Sequence, residues 1–183
     1  MEIPRALPDD PEKAAHIYRL ANLHKHWLHA DSIKQRIRSP VLGSKKSELP
    51  AELLAFGQFH SAVMALLVWY ALLYVVIEGY REMGLDDPDI NRLLAHADDV
   101  DRLRRLRNGI FHYQREPFSE KLMAFLLAGN SENWIRDLNR AFSAFFLREL
   151  PIKEWVDNVQ KPKFSTWAKF LKVIRRSLGM STA

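Results

Sequence analysis

The sequence predicts an all-α fold, in which a long buried central helix is surrounded by shorter amphipathic helices. Apolar side chains recur at helical spacing along most of the 183 residues, and no segment shows the alternation typical of a strand. A second observation is the unbroken apolar run from Ala62 to Ile77, which lies between His60 and Glu78. As a helix this run would be about 24 Å long, short of the roughly 30 Å of a bilayer core. We therefore expect it to be buried in the protein and expect no membrane span.

The length suits a single helical domain over residues 1–160, followed by a basic amphipathic helix over residues 161–183. The chain has no cysteine, which excludes disulfides, and its N-terminus lacks the apolar core of a signal peptide. These features predict a cytoplasmic protein. The formal net charge of +5 favours a polyanionic partner such as RNA.

Prolines and capping residues set the predicted helix boundaries. The first three predicted helices cover about 11–38, 50–83 and 86–95, and the fourth ends at Pro117. Two more are predicted at about 118–128 and 132–150, and a last one runs from Ser165 or Thr166 to Leu178. The loop from Ser39 to Glu48 is expected to be mobile and to lie next to a site. The first helix carries His24, His26 and His29, but the first two would point to different sides of a helix, so no metal site is predicted.

The residues with the most versatile chemistry lie between positions 102 and 116. Arg107, Asn108 and His112 combine a permanent cation suited to phosphate, a polar amide, and an imidazole that can move protons near neutral pH. The other side of the segment would be buried through apolar residues at helical spacing. These residues are Leu103, Leu106, Ile110 and Tyr113.

Helical geometry places these polar residues in two groups. Arg104, Asn108 and His112 follow at i, i+4 and i+8 and would share one edge of a helix. Arg107 would lie about 140° from His112 on an unbroken helix. Gly109 lies between them, and a kink or a helix start at this glycine would turn the two side chains toward each other.

The motif Arg107-Asn-Gly-Ile-Phe-His112 resembles the signature of the HEPN superfamily, small all-helical proteins that include metal-independent ribonucleases and toxins. The apolar segment 69–80 and the linker 85–94 precede the motif in the order seen in that group, and the resemblance covers roughly residues 50–150. Some HEPN toxins carry a tyrosine two residues after the histidine. Here Tyr113 follows His112 directly and Gln114 takes that place, so regulation through that tyrosine is not implied.

The resemblance implies an HEPN-like helical bundle with endoribonuclease activity, in a toxin or defence protein whose partner is an antitoxin or another protein. It implies that Arg107 stabilises the phosphate and His112 acts as acid and base, with no cofactor and no metal. Asn108 would orient the phosphate or the histidine. Each chain offers one well-placed imidazole, so a homodimer that brings two motifs together would supply the second.

Further residues are predicted to support the site or to bind RNA. Glu78 is either a surface ion-pair partner of Arg81 or an acid at the site, and Arg104 and Tyr113 are supporting candidates. Candidates for nucleic-acid contacts, or for solvated faces, are the basic residues of the loop and of the last helix. They are Lys45, Lys46, Lys169, Lys172, Arg175 and Arg176.

Two alternatives stay open from the sequence. The last helix carries an apolar stripe between its basic residues, made of Phe164, Trp167, Phe170, Leu171 and Ile174. This helix would either pack on the protein's own core or on a second subunit, or lie on a membrane surface or on nucleic acid. The alternative function is a non-catalytic helical module that binds RNA, a nucleotide or a protein. Motif residues from two chains facing each other across an open basic cleft would favour catalysis, and a motif sealed by packing would favour a scaffold.

Overall fold

The computed structural model describes residues 10–38, 50–116 and 119–159, and all regular structure within these ranges is helical. The helices are α1 (Pro11–Arg38), α2 (Ala51–Glu82), α3 (Pro88–Leu94), α4 (Ala97–Phe111), α5 (Glu120–Leu126), α6 (Ser131–Glu149) and α7 (Ile152–Val159). The predicted all-α fold is confirmed. The predicted loop 39–48 and the predicted last helix, with all six basic candidates for RNA contacts, lie outside the described residues.

Helices α1 and α2 pack antiparallel. A Cβ atom on Gly79 would lie 2.5 Å from Cδ1 of Leu23, so the missing side chain lets the two helices approach closely. Eleven residues further along α1, Lys34 lies over Trp69, with Nζ 5.6 Å from the ring centroid. Residue numbers therefore rise along α1 as they fall along α2.

The C-terminal half of α2 forms the centre of the core. Leu73, Val76 and Ile77 are fully buried, and the Tyr80 ring meets Phe142 of α6 with ring centroids 5.7 Å apart. On length and composition alone α2 is apolar enough to cross a membrane, and a core helix passes the same test.

The predicted burial of residues 62–77 is correct only for part of that run. From Leu67 onward most of its side chains are buried or half-buried, but Ala62 and Met64 are exposed. The prediction was wrong at this end because an apolar run records hydrophobicity and not which neighbours cover it.

Helix α4 ends earlier than predicted and passes through Gly109 without a break. The backbone N–H of His112 donates to the carbonyl of Asn108 at 3.2 Å, and His112 then adopts an extended backbone (φ −119°, ψ 143°). Gly109 serves close packing, because a Cβ there would lie 3.3 Å from Cδ2 of Leu122 in α5. The predicted kink at Gly109 and the predicted helix end at Pro117 were therefore both wrong.

A polar network joins α2, α3 and α6. Asp87 accepts a hydrogen bond from the backbone N–H of Ile90 at 2.9 Å, which caps α3, and pairs with Arg148 of α6 at 2.5 Å. The Tyr80 hydroxyl accepts from the backbone N–H of Asp87 at 2.7 Å and donates to Oδ1 of Asn91 at 2.9 Å. These bonds fix the chain as it turns from α2 into α3.

Candidate functional site

Arg107 is held in one orientation where α4 packs against α2. Its Nη1 donates to Oδ1 of Asn108 at 2.9 Å, and its Nη2 forms an ion pair with Oε1 of Glu78. The guanidinium also lies over the ring of Tyr74, with Cζ 5.3 Å from the centroid. The buried Nε has no hydrogen-bond partner among the described residues. A quarter of the Arg107 side chain (25%) stays exposed.

Two residues of α2, one turn apart, form the other side of this contact. Glu78 was predicted either to pair with Arg81 or to be an acid at the site. It pairs with Arg107, because this face of α2 points at α4. Tyr74 was missed by the sequence analysis, although its place one helical turn before Glu78 puts it on the same face.

The surroundings of the Tyr74 phenol raise its pKa. Burial raises the pKa of Tyr74, the charge of Glu78 raises it further, and the nearby arginines, Arg104 among them, oppose this shift. The Arg107 guanidinium lies over this ring as a cation–π contact.

All four arginines of α4 have a carboxylate partner. Beside the pair of Arg107, the pairs are Arg102 with Asp99 at 2.8 Å, Arg104 with Asp101 at 2.7 Å, and Arg105 with Glu120 at 3.0 Å. The positive charge of the helix is thus largely compensated, and a phosphate must compete with these carboxylates. Arg104, predicted to support the site, points to Asp101 and is close enough to influence the pKa of Tyr74.

His112 lies just beyond the end of α4 and is exposed. Its carbonyl accepts a hydrogen bond from Nε2 of Gln114 at 2.9 Å, whereas its imidazole makes no hydrogen bond within the described part of the chain. The predicted edge of Arg104, Asn108 and His112 does not form, because His112 is outside the helix. Asn108 bonds Arg107 and not the histidine.

Aromatic side chains flank His112 on both sides. Phe111 is exposed, and Tyr113 is 91% exposed. The prediction that Tyr113 belongs to the buried stripe was wrong, because the helix that would have carried it inward ends two residues earlier. Leu103 and Leu106 are buried as predicted, and Ile110 is half-buried. The structure thus groups Arg107, Asn108, Glu78 and Tyr74 and leaves His112 and Tyr113 in solvent.

One of the histidines of α1, His24, is packed in the core. His24 is buried against Phe146, with ring centroids 4.9 Å apart, and stacks on Trp27 at 5.7 Å. Burial lowers the pKa of His24, which favours the neutral imidazole. Among the residues that the structure describes, no group of three His, Asp or Glu side chains could hold a metal ion.

Comparisons of the chain with protein-family models, with curated proteins and with solved structures found no match. The HEPN resemblance therefore stays a prediction that depends on the motif and on the order of the helices around it.

Proposed function

We propose that this chain is an HEPN-like, metal-independent endoribonuclease, acting as a toxin or defence protein. Arg107 stabilises negative charge on the phosphate, and His112 transfers protons in a site that two copies of the chain complete. The observation that carries the proposal is the guanidinium of Arg107, held by Glu78, Asn108 and Tyr74 yet partly open to solvent. An oriented cation suits phosphate chemistry, because a positioned charge need not reorganise as the reaction proceeds. The His112 imidazole is exposed just beyond the end of α4.

The reaction would use the 2′-hydroxyl of RNA as the nucleophile. A base removes the hydroxyl proton, the 2′-oxygen bonds to phosphorus, and the bond to the 5′-oxygen breaks as an acid protonates that oxygen. Arg107 stabilises the charge that grows on the phosphate oxygens. Because each chain contributes one His112, a two-fold homodimer would provide the base from one copy and the acid from the other.

Glu78 would act on the reaction through Arg107. Its carboxylate holds one terminal nitrogen of the guanidinium, and Asn108 holds the other. Both groups limit the orientations that Arg107 can adopt, at the cost of partly compensating its charge. Glu78 and Asn108 are therefore positioning residues in this proposal, and the second copy adds further positive charge to the shared site.

The second candidate is a non-catalytic helical module that binds RNA, a nucleotide or a protein. The pairing of every α4 arginine with a carboxylate favours it, since such pairs also stabilise a helical scaffold. Under this reading the ion pair of Arg107 and Glu78 joins α4 to α2 and performs no chemistry.

The deciding experiment incubates purified protein with total RNA, with and without EDTA. Arg107→Ala should lose about a hundredfold or more in rate, comparable to removing one oxyanion donor, and Arg107→Lys should recover little because the planar fork is lost. His112→Ala should lose a similar factor by removing the proton-transfer group.

Matched controls are Arg140→Ala and His16→Ala, which remove exposed side chains of the same types on α6 and α1. Both should cleave like the unmodified chain, and circular dichroism should show all variants folded. Cleavage by His112→Ala at the unmodified rate, or loss of activity in EDTA, would overturn the ribonuclease mechanism and favour the binding module.

A further inference from the structure

One apolar line of α2, here called the α2 seam, runs the length of the helix at alternating spacings of three and four residues. Its positions are Phe56, Phe59, Val63, Leu66, Tyr70, Leu73, Ile77 and Tyr80. This spacing is typical of a helix that another helix covers along one line, because it keeps the same side facing the partner turn after turn.

The bundle covers only the C-terminal half of the α2 seam. Tyr70, Leu73, Ile77 and Tyr80 are all buried. Phe56 and Phe59 are each 68% exposed, and Val63 and Leu66 are half-buried at the boundary. Every side chain that the structure describes between residues 50 and 62 is exposed.

The neighbouring helices explain where the cover stops. Lys34 of α1 lies at Trp69, so antiparallel α1, which the structure describes to Arg38, reaches about the level of residue 65 of α2. Helix α4 meets α2 through Arg107 at Tyr74 and ends one turn later, at Phe111. Residues 51–62 thus extend about 18 Å of helix beyond the described parts of α1 and α4.

The composition of this extension favours an apolar occupant over a polyanion. Glu52 and His60 are the only ionisable residues between positions 50 and 64, and the stripe between them is aromatic and aliphatic. An exposed apolar stripe of this kind is typical of a surface that is covered by another apolar surface.

One segment of the chain carries a matching stripe. Phe164, Trp167, Leu171 and Ile174 are spaced by three, four and three residues, as are Phe56, Phe59, Val63 and Leu66. The two stripes therefore have the same number of positions, the same spacing and the same length. On a helix Lys169, Lys172 and Arg176 would fall on the side opposite this stripe and stay available to solvent or RNA.

We propose that residues 164–174 pack as a helix on the uncovered half of the α2 seam of the same chain. Helix α7 packs on the core through Ile152 and Trp155 and ends at Val159. Five residues from there to Phe164 span at most about 17 Å, which keeps Phe164 within that distance of the end of α7. In the proposed packing the stripe starts at the covered half of the α2 seam and runs outward along α2. The register is antiparallel, with Phe164 opposite Leu66 and Leu171 opposite Phe59.

Disulfide trapping tests this register, because the chain has no cysteine of its own. The full-length double variant Phe59→Cys/Leu171→Cys is oxidised at low micromolar concentration, and the products are resolved on a non-reducing gel and by peptide mapping. An intrachain disulfide is expected at least about tenfold faster than in the control Tyr18→Cys/Leu171→Cys, because bonding requires Cα atoms within about 7 Å. Tyr18 is also exposed, but lies on α1 toward the opposite end of the bundle.

Equal rates of intrachain bonding in the two double variants would overturn the proposal. So would predominant chain-to-chain disulfides in Phe59→Cys alone, above the level in Tyr18→Cys alone, which would show that a second copy covers the stripe.

In a separate measurement, maleimide should label Phe59→Cys about tenfold more slowly than Phe59→Cys/Leu171→Asp, since the aspartate would release the segment. Equal labelling rates would contradict the proposed packing.

Discussion

Two arginine–carboxylate pairs in this protein have the same chemistry and different surroundings. Arg148 of α6 meets Asp87, whose side chain is 5% exposed, and Arg107 of α4 meets Glu78, whose side chain is 42% exposed. Each pair links elements distant in the sequence. Asp87 also caps α3, whereas Glu78 makes no further hydrogen bond among the described residues.

This difference separates a structural contact from an accessible one. A buried carboxylate with several donors stabilises the fold, because removing it leaves those donors without partners in a medium of low dielectric. An ion pair near the surface contributes about 0–1 kcal/mol, since water screens it and can replace either partner. The Asp87 carboxylate is thus suited to stability, and the more exposed Glu78 carboxylate contributes less to it.

The largest effect on stability is expected from Asp87→Ala. The substitution removes the cap of α3 and the partner of Arg148, so the free energy of unfolding should fall by about 2–3 kcal/mol. Urea unfolding followed by circular dichroism measures this change. A decrease of less than about 1 kcal/mol in the free energy of unfolding would contradict the comparison, because Asp87 would then contribute no more than a surface ion pair.

The next effect is expected from Tyr80→Phe, which removes one oxygen and keeps the ring in the core. The backbone N–H of Asp87 then loses its acceptor, and Asn91 loses a donor, at a cost of about 1–2 kcal/mol. The double variant with Asp87→Ala should lose less than the sum of the two single changes, because the residues share one network. Full additivity in urea unfolding would show that Tyr80 and Asp87 act independently.

Acid should weaken the core around α1 before it affects Asp87. The folded-state pKa of His24 lies below its ordinary value of 6.5, so below pH 6.5 the unfolded chain binds more protons. Stability is therefore full above pH 6.5 and falls as the pH drops toward the folded-state pKa. His26, whose pKa is also lowered, mainly by burial, contributes in the same direction.

Thermal unfolding between pH 7 and pH 5 tests whether stability falls as the pH drops. His24→Phe keeps an aromatic ring between Trp27 and Phe146 and should flatten the pH dependence, whereas the control His16→Ala should leave it unchanged. An unchanged slope in His24→Phe would assign the acid sensitivity to other groups. The stability that Asp87 contributes is lost only as the pH falls below 3.8, because its folded-state pKa is lowered. Burial raises the pKa of Asp87, but the bonds from Ile90 and Arg148 lower it more.

The smallest effect on stability is expected from Glu78→Gln. The amide keeps the shape and loses the charge, so the free energy of unfolding should change by less than about 1 kcal/mol. The same substitution should alter RNA cleavage if Arg107 contacts phosphate, because the guanidinium loses a positioning partner and its charge is no longer compensated by Glu78. Comparing kcat with KM separates the two results, since lost positioning lowers kcat and freed charge lowers KM. An unchanged rate and KM would place this pair with the structural contacts.

The sequence by itself determined the helical class and most helix boundaries. Proline and capping residues act locally, so the starts of α1 at Pro11, of α2 after Pro50 and of α3 after Asp87 all lie within a residue or two of the predicted positions. The placement of Arg107 and Asn108 on a helix, next to a buried stripe that includes Leu103 and Leu106, also follows from spacing alone.

Only the tertiary structure decided which residues meet. Periodicity shows which side of a helix is apolar, but not which neighbour covers it or how far that cover extends, so Phe56 lies exposed on the same line as buried Tyr70. The pairing of Glu78 with Arg107 joins residues 29 positions apart and depends on how α2 and α4 cross. Gly109 does not break α4, and no proline or glycine lies between it and His112, so that end too depends on three-dimensional context. Local patterns specify elements, whereas long-range contacts select partners, and the candidate site consists mainly of such contacts.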